Sequence, residues 1–211
     1  MRAPAEIAIA ALPNRRVGEA VDVLVRAFWQ DPIITFFLHR PPRRAMGLRA
    51  FFGNVVRAHL GFGHVYGAFA EHRVVGTAVW RPPDAAVDAL LDRIRDVATR
   101  VFMRGLFPRT AGELFRGLAA TTALHPDVPH WYLFFMGVDV DVQGQGIGSK
   151  LLAPVLGLAD ETQMLCYLET PFPRTHAFYQ RHGFTITSAT HPFRGAPTLW
   201  TMTRRPEPPL R

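Results

Sequence analysis

Residues 138–149 read Val-Asp-Val-Asp-Val-Gln-Gly-Gln-Gly-Ile-Gly-Ser, a glycine-rich stretch between two apolar segments. The segment before it, residues 131–138, is an apolar run with the length of a buried β-strand. The segment after it, residues 149–159, carries apolar residues at the spacing of a helix. A strand, a glycine-rich turn and a helix start leave several backbone N–H groups unpaired at the positive end of a helix dipole. The sequence therefore predicts an anion site suited to a phosphate or a pyrophosphate.

The spacing of the glycines argues against two common phosphate-binding motifs. A P-loop requires Gly-Lys and then Ser or Thr, whereas residues 148–150 read Gly-Ser-Lys. A dinucleotide fingerprint requires G-x-G-x-x-G, whereas Gly144, Gly146 and Gly148 are spaced G-x-G-x-G. The pattern that fits is Gln-x-x-Gly-x-Gly, which begins at Gln143. Glycine suits such a turn because a side chain would hold the oxygens of the ligand away from the amides.

A second block follows, with Leu-Glu-Thr at 168–170, Pro-Arg-Thr at 173–175 and Phe-Tyr-Gln-Arg-His-Gly-Phe at 178–184. Together the two blocks resemble the GCN5-related N-acetyltransferase (GNAT) family, in which Gln-x-x-Gly-x-Gly binds the pyrophosphate of acetyl-coenzyme A. They are most similar to the branch that contains puromycin N-acetyltransferase, and residues 198–204 are also similar to that branch. The resemblance is strong over about residues 131–204 and weak before them.

The resemblance implies the α/β (α+β) GNAT fold. This fold has a mixed, mostly antiparallel central sheet of about six or seven strands, with helices on both faces and a splay between strands 4 and 5. The N-terminal half of the family has a strand, two helices and a hairpin, and matching segments lie at residues 7–12, 14–29, 44–60 and 64–80. Residues 1–205 are expected to form a single N-acetyltransferase domain, and residues 206–211 a flexible tail.

A helical insert is predicted at about residues 84–125, between strands 3 and 4. It is either extra cover for the core or a wall or lid over the acceptor pocket. Asn14 and Asp84 are expected to cap helices, and Thr110 with Glu113 forms a possible capping box.

Composition indicates a globular protein, since 48% of the 211 residues are hydrophobic and 19% are charged. No apolar run approaches the ~20 residues that span a bilayer, and no signal peptide is apparent, so we expect no membrane association and a cytoplasmic location. The lone cysteine, Cys166, excludes an internal disulfide and is expected in the core. The formal charge of +7 comes from scattered arginines without a basic run, so no nucleic-acid partner is expected. The nine histidines show no metal-ligand spacing, and no metal is predicted.

The chemistry implied by the resemblance is transfer of an acetyl group from acetyl-coenzyme A to an amine, by direct attack on the thioester. The thioester must be held, the amine must become neutral, the carbonyl oxygen needs a hydrogen-bond donor, and the departing thiolate needs a proton. The family's contacts to the pantetheine arm carry over to the main chain of Val138 and Val140, with the Val138 N–H as the donor to the oxygen. Thr175 replaces an asparagine of the family and has one donor fewer. The contacts to the phosphates carry over to the amides of Gln143, Gly144, Gln145, Gly146, Ile147, Gly148 and Ser149.

Three side chains are candidates for proton transfer. Tyr179 matches the family's general acid, since a phenol of pKa about 10 can protonate a departing thiolate whose thiol has a pKa of about 8.5. The alternative is a tyrosine that packs a helix against the sheet. Glu169 ends an apolar strand and can act as the general base, or instead anchor the ammonium group or accept a structural hydrogen bond. His130 is a second candidate base, or a loop residue.

The acceptor is predicted from aromatic residues on segments that would border the cleft. If several of them line it, the acceptor is a bulky, partly apolar small-molecule amine, and the resemblance points to an antibiotic or secondary metabolite. We expect a monomer or a homodimer. Two alternatives stay open: a relative that binds acyl-coenzyme A as a sensor without turnover, and a basic nucleic-acid binder. The aromatic residues are Phe36, Phe37, Phe51, Phe52, Trp80, Trp131 and Phe134.

Overall fold

A seven-stranded sheet is the frame of the molecule in the computed structural model, which describes residues 6–83, 90–191 and 195–208. The spatial order of the strands is β1-β2-β3-β4-β5-β7-β6. Neighbouring strands are antiparallel except β4 and β5, which are parallel. The predicted mixed, mostly antiparallel sheet is confirmed. The strands are β1 (Ile7–Ala11), β2 (Val65–Ala70), β3 (Arg73–Arg81), β4 (His130–Val138), β5 (Leu165–Thr170), β6 (Thr185–Thr190) and β7 (Leu199–Arg204).

Helices cover both faces of this sheet, as predicted. Successive residues of a strand point to opposite faces, and in β3 Val74 belongs to the cluster under the first three helices while Val75 belongs to the cluster under α6. No helix in the described part of the chain is long and apolar enough to cross a membrane. The helices are α1 (Val17–Ala27), α2 (Pro32–Phe37), α3 (Pro41–Leu60), α4 (Leu90–Leu106), α5 (Ala111–Thr121), α6 (Ile147–Glu161) and α7 (His176–Gln180).

Strands β4 and β5 separate halfway along their length. They pair from His130 opposite Leu165 to Leu133 opposite Leu168. Beyond that point β4 continues beside β3 to Val138, and β5 continues beside β7. The predicted splay is confirmed, and it opens the sheet toward the glycine-rich turn.

The first helix starts later than predicted. Asn14 begins a short 3-10 turn, and α1 starts only at Val17 without a side-chain cap. Asp31 follows the end of α1 and caps α2, because its carboxylate accepts the N–H of Ile34 at 2.9 Å. Pro32 occupies the first turn of α2, where its missing N–H costs nothing.

The insert between β3 and β4 contains α4 and α5. Met103, Phe107 and Leu114 pack into the same cluster as α1 to α3, so the insert does cover the core. Thr110 does not form the predicted capping box, because its hydroxyl donates to the carbonyl of Phe37 at 2.6 Å and ties the insert to α2. Asp84, a predicted cap, lies outside the described residues.

Candidate active site

The turn between β4 and α6 has a backbone shape that glycine adopts easily. Gly144 has φ 78° and Gly146 has φ 75°, both in the left-handed region. A Cβ at either position would meet no protein atom within 4 Å, so the space beside them is open to a ligand. Gly146 is the N-cap of α6, and the unpaired amides of the first helical turn follow it. The turn therefore fits a phosphate group, which would meet these amides and the positive end of the dipole.

Packing against a neighbouring helix accounts for the third glycine, Gly148. A Cβ there would lie 3.0 Å from the ring of Phe178 in α7. The Phe178 ring in turn contacts the ring of Tyr179, with centroids 5.1 Å apart. Gly148 thus lets α6 approach α7 closely and brings Tyr179 near the turn.

Hydrogen bonds to β3 and to the glycine turn hold the end of β4. The N–H of Asp139 donates to the carbonyl of Val75 at 2.8 Å, and because backbone groups alternate along a strand, those of Val138 point toward the splay. The Val138 carbonyl accepts the side-chain amide of Gln143 at 3.0 Å, which ties the turn back to the strand. Arg26 of α1 donates two bonds to the Asp139 carboxylate, at 3.1 and 2.7 Å.

A cavity of about 560 Å³ joins the glycine turn, the splay and α1 to α5. Of the residues predicted to bind the cofactor, Val140 and Gln145 are not among its lining residues. Val140 lies in a 3-10 turn after β4, and its side chain is exposed. The predicted site residues that do line the cavity are Val138, Gln143, Gly144, Gly146, Ile147, Gly148, Ser149, Glu169, Thr175 and Tyr179.

The part of the cavity bordered by α1 to α5 is mostly apolar. Of the aromatic residues predicted there, Phe37, Phe51 and Phe134 line it, whereas Phe36 is exposed on the surface. The others, Phe52, Trp80 and Trp131, are buried outside the lining. The insert also contributes to the wall, through Met103, Leu114, Gly117, Leu118 and Thr121. Aromatic lining that was not predicted comes from Phe28, Tyr132, Phe135, Phe172 and Phe178.

Tyr179 is buried on α7, and its ring also packs against Phe184 at 5.8 Å. Burial raises the pKa of its hydroxyl well above the ordinary value of 10. The hydroxyl therefore keeps its proton at neutral pH and can act only as a donor of it.

Thr175 lies at the start of α7, and neighbouring groups already engage its hydroxyl. The hydroxyl donates to the carbonyl of Phe172 at 2.8 Å and lies 3.0 Å from the hydroxyl of Thr170. Its single proton is used in the first of these bonds, so Thr175 can offer a ligand only acceptor capacity.

Glu169 is held by two tyrosines. The Tyr132 hydroxyl donates to Oε2 at 2.7 Å, and the Tyr167 hydroxyl donates to Oε1 at 3.0 Å. Tyr132 and Tyr167 are opposite each other in β4 and β5, and Glu169 follows two residues later on the same face. Burial raises the pKa of Glu169 to about 7, although both tyrosine bonds lower it. This carboxyl can therefore take up and release a proton near neutral pH.

Asp31 is a second buried carboxyl on the cavity wall. Burial raises its pKa to about 6, opposed by the backbone amides of Ile34 and Ile33. The sequence contained a signal for this position, because an Asp directly before a Pro is a common start of a helix. Two carboxyls in a largely apolar cavity suit a ligand that is cationic and partly apolar.

A histidine that no sequence pattern indicates lies beside Glu169. Nε2 of His125 lies 3.5 Å from Oε1 of Glu169, and Nδ1 of His125 lies 3.0 Å from Nε2 of His130. Among the described residues, no group of three or more His, Cys, Asp or Glu side chains is arranged to hold a metal ion.

Known proteins share the fold of this chain. The model of the acetyltransferase (GNAT) family matches residues 24–184. An uncharacterized N-acetyltransferase of Schizosaccharomyces pombe is 25% identical over 183 residues, which cover 82% of this chain and 72% of that protein. A crystal structure described as histone acetyltransferase HPA2 and related acetyltransferase, from Corynebacterium glutamicum, is 25% identical, with a TM-score of 0.72 over 97% of this chain and 99% of that one. Arylalkylamine N-acetyltransferase 2 of Aedes aegypti shares the fold at 12% identity, with a TM-score of 0.63 over 95% and 99% of the two chains.

The family match spans well over half of the chain. The sheet with its parallel β4–β5 pair and the left-handed glycines before α6 agree with what the sequence motifs implied. On this evidence the chain belongs to the GNAT family of N-acetyltransferases, whose enzymes use acetyl-coenzyme A.

Proposed function

We propose that this protein transfers the acetyl group of acetyl-coenzyme A to the amine of a small, partly apolar molecule. The observation that carries the proposal is one continuous cavity lined by the glycine turn, Tyr179 and Glu169. An anion site, a proton donor and a proton acceptor that share one cavity are the parts that acetyl transfer to an amine requires. When bound, acetyl-coenzyme A supplies the acetyl group as a reactive thioester.

The main chain around the turn is proposed to hold the cofactor. The amides from Gln143 to Ser149 would bind its phosphates, which the open space beside Gly144 and Gly146 supports. The main chain of Val138 and Val140 would bind the pantetheine arm. The Val138 N–H would donate to the carbonyl oxygen as that oxygen becomes negative.

Glu169 is proposed as the base that makes the amine neutral. An alkylammonium has a pKa of about 10, so its proton moves to a carboxylate of pKa about 7 at a cost of about 4 kcal/mol. The same transfer to an ordinary glutamate, of pKa 4.5, would cost about 8 kcal/mol. Burial of Glu169 therefore halves the cost of deprotonation.

Tyr179 is proposed as the acid that protonates the departing thiolate. Its hydroxyl carries a proton at neutral pH, and the ring is fixed by Phe178 and Phe184. A hydroxyl that is fixed in place and still carries its proton is suited to protonate the thiolate as the C–S bond breaks.

The acceptor is proposed to be an antibiotic or a secondary metabolite with a basic amine, as in the puromycin N-acetyltransferase-like branch that the motifs resemble. Phe37, Phe51 and Phe134 offer an apolar surface for its body, while Asp31 and Glu169 offer negative charge for its amine. The fold is also that of proteins named as agmatine and arylalkylamine N-acetyltransferases, which agrees with a small amine.

The test is thiol release by the purified protein with acetyl-coenzyme A and a panel of amines: puromycin, phenylethylamine, agmatine and spermidine. We expect release with the amines that carry an aromatic body and an acetylated product by mass spectrometry. The same protein is titrated with acetyl-coenzyme A in a calorimeter. Tight binding without thiol release from any amine would contradict the proposal and support a sensor instead.

A further inference from the structure

A line of side chains leads from Glu169 away from the cavity toward the surface. Oε1 of Glu169 lies 3.5 Å from Nε2 of His125, whose Nδ1 lies 3.0 Å from Nε2 of His130. Nδ1 of His130 is 2.7 Å from the carbonyl of Val128, at the exposed end of the line. Glu169 faces the cavity, whereas neither histidine lines it. The two histidines therefore connect the proposed base to the outside by a route that avoids the acceptor.

The hydrogen bonds give this line a direction. A carbonyl only accepts, so Nδ1 of His130 carries the proton in the bond to Val128, and Nε2 of the neutral ring is an acceptor. Nδ1 of His125 must then be the donor to His130. This leaves Nε2 of the neutral His125 ring as an acceptor, and it faces Glu169. Each ring thus presents its free nitrogen toward the cavity and its N–H toward the surface.

The groups around His125 keep its ring neutral, and they favour rapid loss of any proton that the ring takes up. Burial first, and then the positive charges of the neighbouring His130 and Arg81, together lower its pKa to about 4. Glu169 is the acid that faces it, and the rings of Tyr132 and Tyr167 pack against it at 4.5 and 4.6 Å. A protonated His125 is therefore a short-lived state that passes its proton on.

We propose that His125 and His130 carry the proton that Glu169 takes from the amine out to solvent. This inference rests on the proposed function, since it names the exit for the proton released at the same site. His125 and His130 act through Glu169, so they are positioning residues and do not touch the substrate. A bound acceptor covers the cavity side of Glu169, and without a second exit the proton would return to the amine.

The proton balance is as follows for one turnover. The ammonium gives a proton to the Glu169 carboxylate, which passes it to Nε2 of His125. Nδ1 of His125 gives its own proton to Nε2 of His130, and Nδ1 of His130 leaves its bond to the Val128 carbonyl and gives one proton to water. One proton enters and one leaves, both rings finish in the opposite tautomer, and exchange with water restores them. The separation of 3.5 Å is slightly long for a hydrogen bond, and such contacts commonly shorten when substrate binds.

The first test is kinetic. We expect His125→Gln and His130→Gln to lower kcat about tenfold or more while KM for the amine stays within about twofold, since proton transfer is lost and binding is not. His125→Ala should regain rate when imidazole is added, because a free imidazole can occupy the gap and take the proton. His72→Gln, at an exposed turn, is the matched control and should behave as the parent. A fully active His125→Gln variant, or a His125→Ala variant that imidazole does not help, would overturn the proposal.

The second test does not depend on turnover. We expect nitrogen chemical shifts of the His125 ring to report an Nδ1–H tautomer, and to change as Glu169 titrates near pH 7. In Glu169→Gln this change should disappear. An identical titration of His125 in both proteins would show that the two groups share no proton and would refute the path. Absence of thiol release by the parent would count against the proposed function alone, because the titration decides the coupling separately.

Discussion

Burial affects the proposed role of Tyr179 in two opposite ways, because it raises the pKa of the hydroxyl and also acts on the thiolate that the hydroxyl would protonate. A hydroxyl that holds its proton more tightly is a weaker acid. However, burial disfavours every negative charge, so the thiolate that departs into the same cavity is also a stronger base than in water. The desolvation that raises the pKa of the Tyr179 hydroxyl thus also raises the pKa of the departing thiol, and the second change opposes the first.

Removal of this hydroxyl should separate chemistry from binding. We expect Tyr179→Phe to lower the rate of thiol release about 100-fold, within the usual range for a general acid, because the departing thiolate loses its proton donor. The affinity for acetyl-coenzyme A by calorimetry should change little. Tyr66→Phe, a half-buried tyrosine on β2, is the matched control. Undiminished thiol release by Tyr179→Phe would leave this tyrosine with a packing role.

Glu169 should make the protein less stable as the pH rises through its titration range. Its pKa is raised from 4.5 to about 7 on folding, so the folded state binds the proton more tightly than the unfolded state. Its contribution is fully present below pH 4.5 and is lost as the pH rises through about 7. We expect Glu169→Gln to abolish this loss, so that its stability relative to the parent improves by about 3 kcal/mol between pH 4.5 and pH 8.

The measurement is urea unfolding of both proteins across that range. His125 titrates in the opposite sense, with its pKa lowered from 6.5, but it is present in both proteins. If the two stability curves run parallel, Glu169 is not desolvated in the folded state.

Single residues differed in how well they could be predicted. Tyr179 and Glu169 stand in motifs with a fixed order, and both line the cavity. Two partners of Glu169 could not be predicted, because Tyr132 reaches it only through the β4–β5 register and His125 only through the end of the insert. Such contacts join residues 37 and 44 positions apart, and no local pattern encodes them.

At the scale of elements, α6 offers a direct comparison between two of its glycines. Gly146 has φ 75° at the start of the helix, whereas Gly157 lies exposed in its interior, where an added Cβ would meet no atom within 4 Å. We expect Gly146→Ala to destabilise the protein by about 1–2 kcal/mol, through left-handed strain, and to weaken acetyl-coenzyme A binding. Gly157→Ala should stabilise by about 0.5–1 kcal/mol and leave binding unchanged.

Thermal unfolding and calorimetric titration of the two variants test this pair. Each substitution adds one methyl group, at the N-cap of α6 or in its interior. A difference in acetyl-coenzyme A affinity between the two variants therefore shows that the turn, and not the helix in general, contacts the cofactor. Unchanged acetyl-coenzyme A affinity in Gly146→Ala would remove the turn from the phosphate site.

Elements were predicted more reliably than their ends. The strands and the main helices follow apolar periodicity, which local sequence carries. Helix starts depend on hydrogen bonds that form only in the folded chain. Thr110 fits a capping pattern but donates to Phe37, and Asn14 fits a cap but lies in a 3-10 turn before α1.

At the scale of the molecule, Arg204 joins three parts of the C-terminal half. Its guanidinium, 5% exposed, donates to both oxygens of Asp160 in α6 at 2.7 and 2.8 Å, and to the carbonyl of His182 at 3.0 Å. We expect Arg204→Ala to destabilise the protein by about 2–4 kcal/mol, because buried charged bonds are lost and Asp160 keeps its charge. The neighbouring Arg205→Ala is exposed and should stay within about 0.5 kcal/mol of the parent.

Urea midpoints of the two arginine variants decide this prediction. Equal midpoints would mean that Arg204 contributes no more than a surface charge.

The architecture as a whole was predictable through family resemblance, because the two motifs fix the order of β4, α6 and β5. The shape of the cavity was not predictable. It depends on α1, α2, α3 and the insert meeting at the splay, and only three of the seven aromatic residues expected there line it.

The insert lines one part of the cavity, and the glycine turn with Tyr179 lines another. Met103, Leu114 and Leu118 of α4 and α5 face the region proposed for the acceptor, while the glycine turn and Tyr179 belong to other segments of the chain. Substitutions at these insert residues are therefore expected to change which amine is accepted and to leave binding of acetyl-coenzyme A unchanged. Thr110 should stay in such variants, because its bond to the Phe37 carbonyl fixes the insert on α2.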